Sequence, residues 1–356
     1  MNRLQEVEFK HNQARALLDQ RNSDGLWLRR TRNIAWITAG GDASIPIESE
    51  SGMYSVLITR DKRTIYTSNI ELVRLQGEEP FADLGFEYAE SPWHSRTFPA
   101  VPNLLTDDGD VETELNRLRR QLTESEQERY RALGIDAAAA LDAAIRAVQP
   151  GDTEFEMAAR LDAACKQRGG VATVNLVGTD ERISRYRHPL ATTKRLEKYA
   201  MIVVCMRRGG LIAAATRLAH FGRLSAELTE KMHKIAAIDA AVIAASRPGR
   251  TLGDVFADLQ AAYVAQGETE QWRLHHQGGL IGYQGREATA TPGDKNPLNS
   301  GHACAWNPSI VGCKSEDTIL VTDSGTEILT AAPDGWPMLT VTVNGQVIQR
   351  PAILEL

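Results

Sequence analysis

The spacing of hydrophobic positions changes several times along this chain, and each change marks an element. Leu4, Val7, Ala14, Leu17 and Leu18 recur at helical intervals and predict a helix over residues 3 to 20, closed by the breaker Asn22-Ser23-Asp24-Gly25. Short apolar runs follow at Gly25 to Leu28, Ile34 to Thr38, Tyr54 to Ile58 and Thr64 to Thr67, with Gly-rich or Asp-Lys turns between them. They predict strands of a small α/β domain in the first 90 residues. From Trp93 to about Asp110 the periodicity lapses among Pro99, Pro102 and Asp107-Asp108-Gly109-Asp110, which reads as a linker. The division expected is an N-terminal domain with its linker over residues 1–122 and a C-terminal domain over residues 123–356.

In the C-terminal part the pattern turns helical and repeats itself. Pro150-Gly151-Asp152-Thr153, with Glu156, Leu161, Ala163-Ala164 and Gly169, matches Pro248-Gly249-Arg250-Thr251, with Asp254, Leu259, Ala261-Ala262 and Gly267. Each copy reads as a turn, a Thr cap answered by an acidic residue three positions on, an apolar helix face and a Gly stop. Long helices are expected before each copy, at 124–148 and 225–246. Strands are expected after each, at Val171 to Val177 and at Trp272 to His276. Two related halves imply one domain with pseudo-twofold symmetry whose sheets enclose a central site.

Composition narrows the function without naming it. A hydrophobic fraction of 42%, a charged fraction of 24% and a formal charge of −6 describe an ordinary soluble chain with no electrostatic footprint for nucleic acid. No apolar run reaches the roughly 18 residues of a membrane span, and MNRLQEVEFK lacks a signal-peptide core, so a cytoplasmic location is the expectation. Cys165, Cys205, Cys304 and Cys313 show no CxxC spacing and read as reduced and buried.

Five short motifs carry the candidate chemistry: Arg187-His188-Pro189, Ala215-Thr216-Arg217, His276-Gln277-Gly278-Gly279, Ala305-Trp306-Asn307-Pro308 and Ser315-Glu316-Asp317-Thr318. In this order they resemble the site strands of the aminopeptidase P, methionine aminopeptidase and creatinase superfamily. Asn33 to Gly40 resembles the Asn-x-x-Tyr-Leu-Thr-Gly segment of the accompanying domain. The resemblance covers nearly the whole chain and implies an α/β (α+β) fold, with a small creatinase-like N-terminal domain before a pita-bread domain.

That resemblance also implies two cations held by Asp, Asp, His, Glu and Glu. Carried over, the His is His276 and the last Glu is Glu316, while the other Glu is Asn307 and the second Asp is Ala214. Residues 198 to 226 contain no Asp or Glu at all. Paired dications need shared anionic oxygens to offset their repulsion, so the expectation is a divergent member with no cofactor. A single metal on His276 and Glu316 with Cys205, His188 or His220 is the weaker alternative.

The function this implies is a metal-independent, creatinase-like hydrolase that cleaves a C–N bond of an amide, amidine or urea in a small polar substrate. His188, His276 and Glu316 are the catalytic candidates, with His as acid and base. Asn307, Arg217 and Trp336 are the substrate-binding candidates. His275 is expected on the opposite strand face from His276. The rival readings are a non-catalytic pseudoenzyme that binds a peptide or ligand, and an Xaa-Pro aminopeptidase-like peptidase with an altered metal site. The partners expected are a small polar molecule or short peptide and a second copy of the chain in a homodimer, with no nucleic acid and no membrane. In such a dimer the loop Gly40 to Gly52, carrying Asp42, Glu48 and Glu50, would bring negative charge to the other subunit's pocket.

Overall fold

The computed structural model describes residues 1–356 and divides into two compact units, residues 1–126 with 209–211 and residues 127–208 with 212–356. The first contains α1 (Arg3–Arg21), β1 (Gly25–Arg30), α2 (Thr31–Ile37), β2 (Ser51–Ile58), β3 (Arg63–Ser68), α3 (Asn69–Glu78), β4 (Glu87–Ser91), β5 (Leu104–Thr106) and α4 (Gly109–Arg120). Its strands form one sheet in the order β4-β3-β2-β1-β5. Helix α1 starts in a capping box between Asn2 and Gln5 and ends at Asn22 in the left-handed conformation, as the breaker requires.

Two expectations for this unit are corrected. The run Ile34 to Ile37 is helical, as part of α2, and is buried on all sides. A short apolar run that is wholly buried has no period to separate helix from strand. Residues 93–110 are not simply a linker either, because β5 adds to β1 in parallel. The Asp107 carboxylate, fully buried, then accepts the backbone N–H groups of Arg29 and Arg30 at 2.9 and 2.7 Å.

The second unit is built from α5 (Glu124–Arg146), α6 (Glu154–Gln167), β6 (Val171–Thr179), α7 (Glu181–Arg185), β7 (Tyr199–Arg208), β8 (Leu211–His220), α8 (Ala226–Ala245) and α9 (Leu252–Ala265). There follow a 3-10 turn at Gln271–Leu274, then β9 (Gly278–Ile281), β10 (Ala288–Thr289), β11 (Ala303–Trp306), β12 (Ser309–Ile310) and β13 (Cys313–Lys314). Strands β14 (Asp317–Thr322), β15 (Gly325–Ile328), β16 (Met338–Val343), β17 (Gln346–Pro351) and β18 (Leu354–Glu355) complete it. No helix is long and apolar enough to cross a membrane.

The internal repeat extends beyond its sequence signature. Both capping boxes form, Thr153 with Glu156 and Thr251 with Asp254. In the first copy Gly151 donates to the Leu196 carbonyl and Leu196 to the Asp152 carbonyl, each at 2.8 Å. In the second, Gly249 donates to the Leu298 carbonyl at 3.0 Å and Leu298 to that of Arg250 at 2.8 Å. The strand expected at Trp272 to His276 is instead the 3-10 turn and an extended residue. The cause is local: Trp272 packs edge-on against Phe256, and the Gln277 amide donates to the carbonyls of Trp272 and His275, which curls the chain.

Two sheets carry the site, ordered β18-β8-β7-β6 and β10-β9-β11-β14-β15. They meet where Thr216 donates to the Glu316 carbonyl at 3.1 Å and Ala214 holds the Thr318 hydroxyl through both its N–H and its C=O. Helices α8 and α9 cover this junction with a core that includes Ile235, Ile243, Phe256, Leu259 and Trp306. The charged face of the junction is thereby left to the opposite side.

Candidate active site

A cavity of about 350 Å³ opens in the second unit, with an apolar wall of Val174, Leu176 and Val203 from β6 and β7. Facing it are His188, His276, Arg286, Asn307, Lys314 and Glu316. Of the sequence candidates, His188, His276, Asn307 and Glu316 come together here. Arg286 and Lys314 were not anticipated. Lys314 lies two positions before Glu316, which is the same-face spacing of an extended chain and was the signal that could have revealed it.

Each group is held by local structure. Glu316 sits at the mouth of β14, fixed by its backbone bridge to Thr216 and by the Thr216 hydroxyl, which donates to Oε2 at 2.6 Å. His276 precedes Gln277, whose Oε1 accepts the Tyr263 hydroxyl at 2.8 Å, so the turn is tied from both ends of the amide. Gly278 then passes under β11 at φ +103, where a Cβ would stand 2.0 Å from the Ala305 carbonyl oxygen. Only glycine fits that approach. His188 lies after α7 on a loop clamped by Arg187, whose guanidinium donates to the Ile310 carbonyl at 2.5 Å and to Gln271 Oε1 at 2.7 Å.

The charges are tightly arranged. Lys314 Nζ is 2.8 Å from Glu316 Oε2, and Arg286 Nη2 is 3.4 Å from Oε1. Burial works to raise the Glu316 carboxyl, but Lys314 and Arg286 outweigh it and hold the group down at about 2. It is a carboxylate at every ordinary pH. Burial lowers the imidazoles: His276 to about 4, helped by Arg286 and His188, and His275 to about 2, helped by Lys314 and its His neighbours. His188 is lowered by burial and then by Lys314. All three rings are therefore neutral near pH 7. Burial pushes the Cys205 thiol, also on the cavity, up to about 11, so it is no nucleophile there.

His275 belongs to the site, against the expectation that alternation would turn it away. There is no strand at that point to impose alternation, and its ring lies 4.5 Å from that of His276 and 4.8 Å from that of His188. His275 Nε2 and His188 Nε2 are 2.9 Å apart, while His275 Nδ1 is buried without a partner. One ligand atom from each of His188, His275 and His276 falls within 4.8 Å of the others.

Two further candidates lie elsewhere. Arg217 is buried, paired with Asp317 at 3.0 Å and donating to the Thr330 carbonyl at 2.7 Å, so it anchors the strand junction. Trp336 is buried with its indole N–H on the Ala352 carbonyl at 3.0 Å and the Arg146 guanidinium over its ring. Neither lines the cavity. In the loop Gly40 to Gly52, Glu50 pairs with Arg30 at 2.6 Å and Asp42 accepts the Ser44 N–H at 2.8 Å, so both are already engaged.

Comparison with known proteins places this arrangement. Residues 128–323 match the family described as metallopeptidase family M24. An uncharacterized peptidase of Staphylococcus aureus (strain MW2) is 24% identical over 348 residues, covering 88% of this chain and 96% of that protein. Among solved structures, the prolidase from Pyrococcus horikoshii OT3 superposes with a TM-score of 0.74 at 18% identity, covering 93% of this chain and 99% of the other. The Xaa-Pro dipeptidase from Bacillus anthracis gives 0.75 at 18% identity, covering 98% and 100%. The pita-bread architecture expected from the motifs is therefore the fold.

The expectation of no cofactor, and of no metal-holding residues, is corrected by the same findings. The matched family is one of metallopeptidases, and the chain carries a three-histidine cluster that can hold a metal. A count of carboxylates does not register imidazoles, and alternation along a strand that does not form turned His275 away from the other two. The fit is good on this structure: three neutral rings suit a borderline cation such as Zn²⁺, and a buried ring nitrogen of His275 stands without a partner.

Proposed function

The chain belongs to metallopeptidase family M24, and from that premise we propose that it hydrolyses the amide C–N bond of a short peptide or similarly small polar amide at the cavity of the second unit. The observation that carries this reading is the convergence of His188, His275 and His276 beside the Lys314, Glu316 and Arg286 charge cluster. The three imidazoles would hold the cation. When bound, it supplies a Lewis acid and an acidified water.

The chain's own groups do the rest. Lys314 and Arg286 present cationic donors to the charge that develops on the acyl oxygen, in a cavity walled on one side by aliphatic side chains. Glu316 keeps both cations in place and, being ionised, balances half of their charge. Asn307 Oδ1, buried without a partner, is an acceptor for the N–H of the bound amide. Val174, Leu176 and Val203 exclude water from one side of the acyl group.

A second reading, a binding protein without catalysis, has its own support, since every oxygen of Glu316 is already engaged by Lys314, Arg286 or Thr216. The test is hydrolysis of a panel of dipeptides and tripeptides by protein loaded with Zn²⁺, Mn²⁺ or Co²⁺, with chelated protein alongside. Cleavage that follows metal loading and is lost in His276→Ala supports the hydrolase. Peptide binding without cleavage under every loading supports the binding protein.

A further inference from the structure

The sheet of the first unit holds a cavity of about 240 Å³ that the chemistry above does not use. Alternation along the strands buries Leu28, Val56 and Ile65 in the core and leaves Trp27, Ser55 and Tyr66 half-buried on the opposite face. The register makes them neighbours. Ser55 pairs with Tyr66, the Trp27 indole donates to Ser55 Oγ at 2.8 Å, and Ser68 of β3 stands beside Ser91 of β4. Arg96, Thr97 and Phe98 close one side, with the Phe98 ring edge-on to Trp27 at 5.7 Å.

The lining combines three aromatic rings, several hydroxyls and two guanidinium groups, and it contains no Asp or Glu. Arg29 lies over the Trp27 ring at 5.1 Å and is paired with Asp108, so its charge is already answered. Arg96 is exposed and in no ion pair. Ser68 is 4% exposed and stands at the N-cap of α3 without making a capping bond, which leaves its O–H to the cavity. Ser55 accepts from Trp27 and keeps its own O–H as a donor. Rings with unused donors and a free cation suit a flat ligand that ends in anionic oxygens. We propose that this cavity binds a small aromatic carboxylate, its ring against Trp27, Tyr66 and Phe98 and its carboxylate on Arg96 and the serine hydroxyls. A free aromatic amino acid fits worse, because its ammonium finds no carboxylate here. The volume is small beside the roughly 300–1,000 Å³ of drug-sized sites, which limits the occupant to one or two rings.

Calorimetric titration of the full chain with 2-naphthoate, its neutral isostere 2-naphthamide and L-tryptophan tests this. The carboxylate should bind about tenfold more tightly than either of the others, and the preference should shrink as salt is added. Arg96→Gln, at an exposed position, should cut the preference over the amide below about threefold. Trp27→Leu should weaken both naphthyl probes about fivefold, and Phe98→Ala, at an exposed position, is the second variant should Trp27→Leu fail to fold by circular dichroism. Equal affinity for 2-naphthoate and 2-naphthamide, tighter binding of tryptophan, or no saturable binding of any probe would overturn the proposal. So would a preference that survives Arg96→Gln or an affinity that the ring variants leave unchanged, since the anion would then sit elsewhere on the chain. Binding is read without turnover, so the outcome is independent of the hydrolysis proposed for the second unit.

Discussion

His275 Nε2 lies 2.9 Å from His188 Nε2, which joins the turn before β9 to a loop residue 87 positions earlier in the chain. The contact exists because two unrelated anchors converge. Gln277 ties the His275 carbonyl, and Arg187 ties the His188 loop to Ile310 and Gln271. Replacing Gln277 with Leu should therefore weaken metal retention by about tenfold, in line with the loss of an outer-shell support, while the fold persists. Competition with a chromophoric chelator measures it, and unchanged affinity would show that the turn does not need its amide.

The Glu316 carboxyl is held at about 2 against an ordinary value of 4.5. A depressed carboxyl stabilises the fold above the unfolded-state value and loses that contribution as pH falls through the folded one. The window is thus pH 4.5 down to about 2, and the effect is about 3 kcal/mol. Urea unfolding across this range should show wild type losing stability, with Glu316→Gln showing a flatter profile. Parallel profiles would mean that Lys314 and Arg286 do not act on this group.

Beneath the cavity, Arg350 on β17 reaches Asp317 at 2.5 Å and Asp239 at 2.6 Å, with all three side chains buried. Arg350→Ala would leave Asp239 buried without its cation and Asp317 with Arg217 alone, and should destabilise the chain by roughly 3–5 kcal/mol. Arg350→Lys should restore only part of this, because one ammonium lacks the guanidinium fork. Denaturant midpoints of the two variants decide it.

Much of this fold was legible because the deciding information is local. The Thr153 and Thr251 caps, the breaker after α1 and the Gly-Gly turn each follow from chemistry within a few residues. So did four members of the site, His188, His276, Asn307 and Glu316, through motif resemblance. The rest depended on tertiary contacts. Ile34 to Ile37, helical in the fold, could not be told from a strand because burial on every side removes the period. His275 joined the cluster because a glutamine amide curled the chain where a strand was expected. Arg286 carries no motif, and only the folded cavity brings it to Glu316. Arg217 was proposed from its motif and Trp336 from its place in a Gly-Trp-Pro turn, and the folded chain engages both away from the cavity lining.

The repeat gives a simple quantitative test. Thr153→Ala and Thr251→Ala each remove one N-cap from equivalent helices and should each cost about 1 kcal/mol. In the double variant the losses should add, since the caps are independent. Thermal unfolding of the three variants checks this, and strong non-additivity would show that the two halves are coupled through their caps.

Metal content is the most direct test of the account. Protein stripped with chelator, reloaded with Zn²⁺ or Co²⁺ and freed of excess by gel filtration should retain bound cation by mass spectrometry. The variant His188→Ala/His275→Ala/His276→Ala, shown by circular dichroism to be folded, should retain essentially none. Equal retention by wild type and the triple variant, or none in either, would contradict the assignment of the three imidazoles as the metal-holding set.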